Sequence, residues 1–565
     1  MMKHAKKGLM LLSLTFVLSA CTYGTNKLNW SDYKNDGEGI SLVSERFSSY
    51  DISFDSASFE KAKKAADEAC LNNNLSEFNT QTNKVFDLFS GVRGKFVVSR
   101  ARYYASGSSS DKKSYEELYD TYLGFYSWYY TFLIHVNSAD SNIRSSFFGD
   151  MSEKEIVEYI DSFYYTEETQ TLDAEITSIQ DGQEERYNEF ISDMSSTSDP
   201  DRRQSIMSEY IDKSIDTYRE LLDKGNKYAK LYGFDDYLSY TYSEYYCRNY
   251  TYDFVEEYAP LIEEYVVPLI YEYKDEIESK KVSDQNLLNN FMRKNFCYKE
   301  CYQADAIDSY MERVGGSMLR AYNYFKSYGY YCFTTNPNSL GTAYVTTIGD
   351  GSTPLPLIFF SSNYQDAHTF VHEFGHYTVA YTNSANNSFP FDIKETHSQA
   401  NEMLFSRYLQ DYYKDSPNLD VYQFAALKSA YKMLTDVALT FATAEVETYV
   451  FKNIDKENEE ILEGVEDIWD KYYDRNTYGY FDTIYYWCTP VISSTGYYIS
   501  YATSGVASLG VYVQALENYD LAIEHYLKLI DYATESREIK EFFDHSGLYS
   551  PLEESTFKKL EKIFE

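Results

Sequence analysis

His372-Glu373-Phe374-Gly375-His376 and, further along, Glu395-Thr396-His397-Ser398-Gln399-Ala400-Asn401-Glu402 are the two segments from which the rest of this chain is read. Imidazoles four residues apart on a helix lie one turn above each other on the same face. They are close enough to hold one tetrahedral metal ion, with the intervening Glu373 beside the ion's open position. The pattern predicts a zinc site of the catalytic rather than the structural kind. Residues 363–382 carry Ala367, Phe370, Val371, Phe374 and Thr378 at the spacing of one helical face, so the motif is expected on a helix packed against a core. Gly375 inside such a helix costs about 1 kcal/mol relative to alanine, which implies a close neighbour at that point.

Three protein ligands on zinc leave a fourth position for water and lower its pKa until it can attack a carbonyl. His372 and His376 supply two of them. Glu395 is the best third, because it opens a second helical stretch in which Glu395, Ser398, Gln399 and Glu402 share one face. Glu402 lies about 10.5 Å further along that axis, too far to bind the same ion. It is expected to accept the other ring N–H of a liganding histidine. Glu373 is the expected general base, taking the proton of the zinc-bound water and returning it to a leaving amine. His368 and His397 are assigned to packing or hydrogen bonding, since only the pair around Glu373 encloses a carboxylate.

Ten prolines in 565 residues leave long helical patterns nearly unbroken, as at 115–136, 167–195, 202–231 and 257–278, so the chain is expected to be mainly α. Asp199-Pro200-Asp201 is a turn and helix-start signal. It sets an expected boundary between an N-terminal helical domain, 46–200, and a catalytic domain, 201–565. Residues 328–362 depart from the helical pattern. Two β-branched and aromatic runs, 343–348 and 355–360, flank a Gly349-Asp350-Gly351 turn and predict a hairpin in a small sheet just before the metal helix. Pro354 and Pro356 suit an edge strand. An edge strand beside a metal can hold an extended peptide by its backbone, which favours a peptide substrate.

Residues 1–20 have the form of a leader. Lys3, Lys6 and Lys7 precede an apolar run from Gly8 to Leu18, and Leu18-Ser19-Ala20-Cys21 resembles a bacterial lipobox. By that resemblance Cys21 becomes a lipidated N-terminus, 21–45 is a linker, and the protein is anchored at the extracellular face of the cytoplasmic membrane through that lipid alone. Loss of the leader deepens the formal charge from −37 to −40, which argues against a nucleic-acid partner. Cys70, Cys247, Cys297, Cys301, Cys332 and Cys488 match no zinc finger and are expected to be mostly buried free thiols. The 62 tyrosines read as packing residues. A monomer is the expected state.

With these residues in view, the chain resembles the oligoendopeptidase F and thimet oligopeptidase family of zinc metallopeptidases. The resemblance rests on the two motifs, with Glu395, Ser398, Asn401 and Glu402 at the family's positions. It extends through Lys224-Gly225-Asn226-Lys227-Tyr228-Ala229-Lys230-Leu231-Tyr232-Gly233-Phe234-Asp235-Asp236-Tyr237 and covers roughly residues 205–550. It implies a largely helical, two-lobed protein with a deep channel that admits short peptides, one zinc ion, and Glu395 as third ligand. The segment from Tyr497 to Gly505 is similar to the family's tyrosine-rich helix, where a phenol stabilises the oxyanion. Tyr501 is the first candidate and Tyr498 or Tyr497 the second.

One departure stands out. The family's upstream histidine would fall where this chain has Thr489, Pro490 or Val491, and no histidine occurs between His397 and His525. Loss of an oxyanion donor costs about a hundredfold to a thousandfold in turnover. The reading that follows is a zinc endopeptidase acting on internal bonds of short peptides. The alternative is a catalytically impaired peptide-binding lipoprotein of the same fold.

Overall fold

The computed structural model describes residues 41–292, 303–334, 336, 338–349, 355–361, 367–382, 389–473, 488–532, 534 and 536–565. The leader, Cys21, most of the linker, Cys297, Cys301, Pro354 and the tip of the expected hairpin turn lie outside these residues.

Helices account for most of the chain, and their ends follow from the sequence. Asp199 accepts the Asp201 N–H at 3.0 Å with Pro200 in the first turn, and the helix then runs to Leu231. The expected helix at 257–278 is interrupted. It forms as Phe254–Leu261 and Val267–Ser279 around a π-helical turn, Ile262–Val266. Pro268 has no N–H to give and its ring crowds the carbonyl four residues back, so the bonding register shifts by one residue.

The described residues of 41–170 and 303–382 cluster as one compact unit, and those of 171–292 and 389–565 as a second. Both units are discontinuous in sequence. The expected boundary at 200/201 falls at the start of the Pro200–Leu231 helix, within the second unit.

In the first unit, four strands form one sheet in the order β1-β2-β4-β3: β1 Ser41–Val43, β2 Tyr330–Thr334, β3 Ala343–Thr347 and β4 Pro356–Phe360. β3 and β4 pair antiparallel with Ala343 opposite Phe360 and Thr347 opposite Pro356, which is the expected hairpin. β4 also pairs in parallel with β2, so it is an inner strand and not the edge. Pro356 is tolerated there because it is the strand's first residue, where no ladder donor is lost. The edge strands are β1 and β3; β3 is half-buried along its whole length, whereas β2 and β4 are fully buried.

Helix α1, Ala367–Thr382, packs on β3 and β4, with Ala367, Phe370, Val371, Phe374 and Thr378 all buried as its spacing predicts. Its support is aromatic. The Phe374 ring meets Tyr322 edge-on at 5.4 Å and Phe325 at 5.7 Å, and Phe370 stacks on Phe360 at 6.1 Å.

The second unit is organised around helices α2, Phe391–Tyr412, α3, Leu419–Lys452, and α4, Tyr498–Glu517. The stretch Lys224–Tyr237 gains a physical reading here. A side chain at Gly225 would meet the Tyr237 ring at 2.3 Å, and Asn226 accepts the Tyr237 N–H at 2.8 Å, so both residues seat that tyrosine. Among the largest fully buried side chains are Tyr218, Tyr242, Tyr258, Tyr472 and Tyr526, in keeping with tyrosine as core material. Cys70, Cys247, Cys332 and Cys488 are free thiols, all but Cys247 buried. Among the described residues no helix is long and apolar enough to cross a membrane.

Candidate metal centre

α1 places His372 and His376 one turn apart, their rings 5.2 Å between centroids and both half-buried. Glu373, between them in sequence, is buried. His368 lies one turn earlier and is half-buried.

Glu395 sits early in α2 and is buried. Its carboxylate Oε1 accepts the Tyr497 hydroxyl at 2.8 Å, and Ser398 Oγ, which donates to the Glu395 backbone carbonyl at 2.9 Å, lies 3.4 Å from Oε2. Burial and the adjacent Glu395 charge hold the Tyr497 phenol well above its ordinary pKa, so it stays protonated and donates. Such a donor fixes the orientation of a liganding carboxylate. The hydroxyl of Tyr497, one of the three tyrosines expected as oxyanion donors, here gives its proton to Glu395. Tyr501 packs edge-on against Tyr497 at 4.9 Å, and Tyr498 opens α4 beside it.

The donor atoms of His372, His376 and Glu395 lie within 4.8 Å of one another. Two imidazoles and a carboxylate are a donor set that catalytic zinc takes. The three residues therefore fit a metal ion. Glu402 is not in this group and lies half-buried two turns further along α2.

His397 is a packing residue, as expected. Complete burial pulls its pKa down to about 3, so it is neutral at physiological pH, and its backbone carbonyl accepts the Tyr526 hydroxyl at 2.6 Å. Where an upstream histidine was expected, Thr489 shares a 3.0 Å hydrogen bond with the Tyr210 hydroxyl, and Pro490 and Val491 are buried.

Sequence reasoning missed a polar cluster beneath Tyr497. Asp392, 2% exposed, accepts hydrogen bonds from Tyr250, Thr503 and Ser500 and pairs with Arg248. Asp392 stands three residues before Glu395 on the same helical face, which is the signal that could have found it. Arg248 carried none.

No family model matches the chain, and no curated protein matches it. Solved structures do. PZ peptidase A with inhibitor 2 aligns with a TM-score of 0.59 at 16% identity, over 92% of this chain and 98% of that one. A Bacillus anthracis str. Ames protein designated an oligoendopeptidase F aligns at 0.58 and 15% identity, over 92% and 97%. A Chlamydophila abortus protein designated a peptidase aligns at 0.55 and 14%, over 92% and 99%. Along nearly its whole length, then, this chain has the fold of the PZ peptidase and oligoendopeptidase F structures.

Proposed function

We propose that the protein is a zinc metalloendopeptidase of the oligoendopeptidase F and thimet oligopeptidase kind, cleaving internal bonds of short peptides. The observation that carries this reading is the grouping of the His372, His376 and Glu395 donor atoms within 4.8 Å of one another, with Glu373 next to His372 in sequence. The shared fold supports it. Zinc held by these three residues would act as a Lewis acid and lower the pKa of water at its open position.

The chain's own groups perform the rest. Glu373, buried between the two histidines, accepts the proton of the attacking water and delivers it to the departing amine. Tyr497 keeps the Glu395 carboxylate oriented. With Tyr497 so engaged, Tyr501 and then Tyr498 are the phenols for the developing oxyanion. The half-buried edge strand β3, packed against α1, offers an extended peptide an edge that no strand pairs among the described residues. Anchoring through a lipid on Cys21, on the outer side of the cytoplasmic membrane, and a monomeric state belong to the same proposal.

The test is mass spectrometry of a mixed peptide library incubated with the zinc-loaded protein and with Glu373→Gln. Internal cleavage of the short peptides is expected, reduced about a hundredfold to ten-thousandfold in the variant with zinc retained. Equal cleavage by both proteins would overturn the assignment. The second reading, a peptide binder with impaired catalysis, is favoured by Thr489, Pro490 and Val491 standing where a histidine was expected. It requires peptide binding with turnover no faster than in Glu373→Gln.

A further inference from the structure

Arg248 is fully buried, and its guanidinium is used on every side. Nε pairs with Asp392 Oδ2 at 3.3 Å, Nη1 donates to the Gly496 carbonyl at 2.6 Å, and Nη2 donates to the Tyr497 carbonyl at 3.3 Å and to Ser500 Oγ at 2.6 Å. The rings of Tyr242 and Tyr246 flank its plane at 4.4 and 4.7 Å, and the Tyr246 ring in turn stacks on Tyr497 at 5.6 Å.

The chain is strained to place it there. Cys247, immediately before Arg248, adopts φ +56°, a left-handed conformation that a residue with a side chain holds only when its surroundings impose it. The Tyr246 carbonyl accepts the Phe391 N–H at 3.1 Å, tying this turn to the start of α2. On the far side, Gly496 has φ +82°, gives its N–H to Glu447 Oε1 at 2.7 Å, and has Thr241 Oγ1 2.9 Å from where a Cβ would stand.

Stability does not account for this arrangement. A buried ion pair seldom outperforms well-packed apolar residues of the same volume, and a cation at the N-terminal end of α4 opposes the helix dipole. What a rigid five-donor fork supplies is geometry. The two carbonyls bracketing the Tyr497 backbone, Gly496 before it and its own, are both bound to this one guanidinium.

We infer that Arg248 is a positioning residue for the metal ligand Glu395, clamping the backbone on both sides of Tyr497 so that the Tyr497 hydroxyl meets Glu395 Oε1. Ser500 adds a second link from the Tyr497 carbonyl to Asp392, through its N–H and its Oγ, but among the described residues it is the Arg248 side chain that holds both carbonyls together with Asp392. The inference rests on the proposed metal role of Glu395.

Arg248→Lys keeps the charge and removes the fork. Two measurements test it. In the first, zinc affinity is read by competition with a chromophoric chelator for wild type, Arg248→Lys, Tyr497→Phe and the double variant. Arg248→Lys is expected to weaken zinc about tenfold when Tyr497 is present and less than twofold in the Tyr497→Phe background. Equal losses in both backgrounds would mean a general structural role and overturn the inference. In the second, the metal-free crystal structure of Arg248→Lys is expected to have lost the 2.8 Å contact from Tyr497 to Glu395. Its retention also overturns the inference. If Arg248→Lys does not fold, Ser500→Ala removes one acceptor of Arg248 and one donor to Asp392 while leaving the ion pair in place, and it enters the same cycle with a loss of about threefold expected. If wild type takes up no zinc, the metal reading fails, and the crystallographic contact alone decides whether Arg248 positions Tyr497.

Discussion

The helix that carries the two histidines and the helix that carries Glu395 are held in place by opposite means. α1 is braced by rings, with Phe370 and Phe374 set among Tyr322, Phe325, Phe333 and Phe360. The first turn of α2 is braced by a buried charge network, Asp392 with Arg248, Tyr250, Ser500 and Thr503. Dispersion and area burial are non-directional and tolerate swaps that conserve volume. Buried ionic hydrogen bonds are directional and fail badly when one partner is removed. The difference teaches that the imidazoles need only a well-packed helix at the right depth, whereas the carboxylate must be aimed.

The comparison can be broken most forcefully at Asp392. Asp392→Ala strands the buried Arg248 charge and is expected to cost about 3–5 kcal/mol in urea unfolding. The double replacement Arg248→Met with Asp392→Leu is expected to recover most of that stability. A loss below about 1 kcal/mol for Asp392→Ala would mean that the network is ornamental.

A second measurement concerns Glu447, which burial raises to about 8 from an ordinary carboxylate value of 4.5. The folded state therefore holds a proton that the unfolded state has released. The sign follows: its contribution is complete below about pH 4.5 and is lost as pH rises through about 8. Between those limits wild type should lose up to about 1.4 kcal/mol per pH unit relative to Glu447→Gln, read from paired denaturation curves. Parallel curves for the two proteins would show that Glu447 is ionised in the fold.

The smallest effect is expected on the aromatic side. Phe374→Leu nearly conserves volume and should cost about 1 kcal/mol while leaving zinc affinity within twofold. A tenfold drop in zinc affinity would mean that α1, too, is aimed rather than merely packed.

Much of α1 was legible in the sequence because helical period and metal-ligand spacing are local. Ala367, Phe370, Val371, Phe374 and Thr378 are buried as their spacing requires, and Glu395 does join the two histidines in the donor group. The β3–β4 hairpin was legible too, but not its place in the sheet. Pro356 pointed to an edge, and pairing with β2, from a segment before the hairpin, made β4 an inner strand. The helix expected at 257–278 was read from periodicity that runs through Pro260 and Pro268, while the backbone answers to the missing donors. Tyr497 was ranked among the oxyanion candidates because sequence places three tyrosines on one turn and cannot say which of them meets Glu395.

By itself, then, the sequence determined a mainly helical chain, a histidine pair around Glu373, a glutamate able to join them, and a small sheet beside their helix. These depend on residue type and short-range spacing. Only the tertiary structure decided that the Tyr497 hydroxyl serves Glu395, that β4 is an inner strand, and that Arg248 and Asp392 lock the start of α4 to α2. The contacts of Tyr497 with Glu395 and of Arg248 with Asp392 join residues more than a hundred positions apart, the strand order joins β4 to a strand from before the hairpin, and no periodicity encodes such meetings.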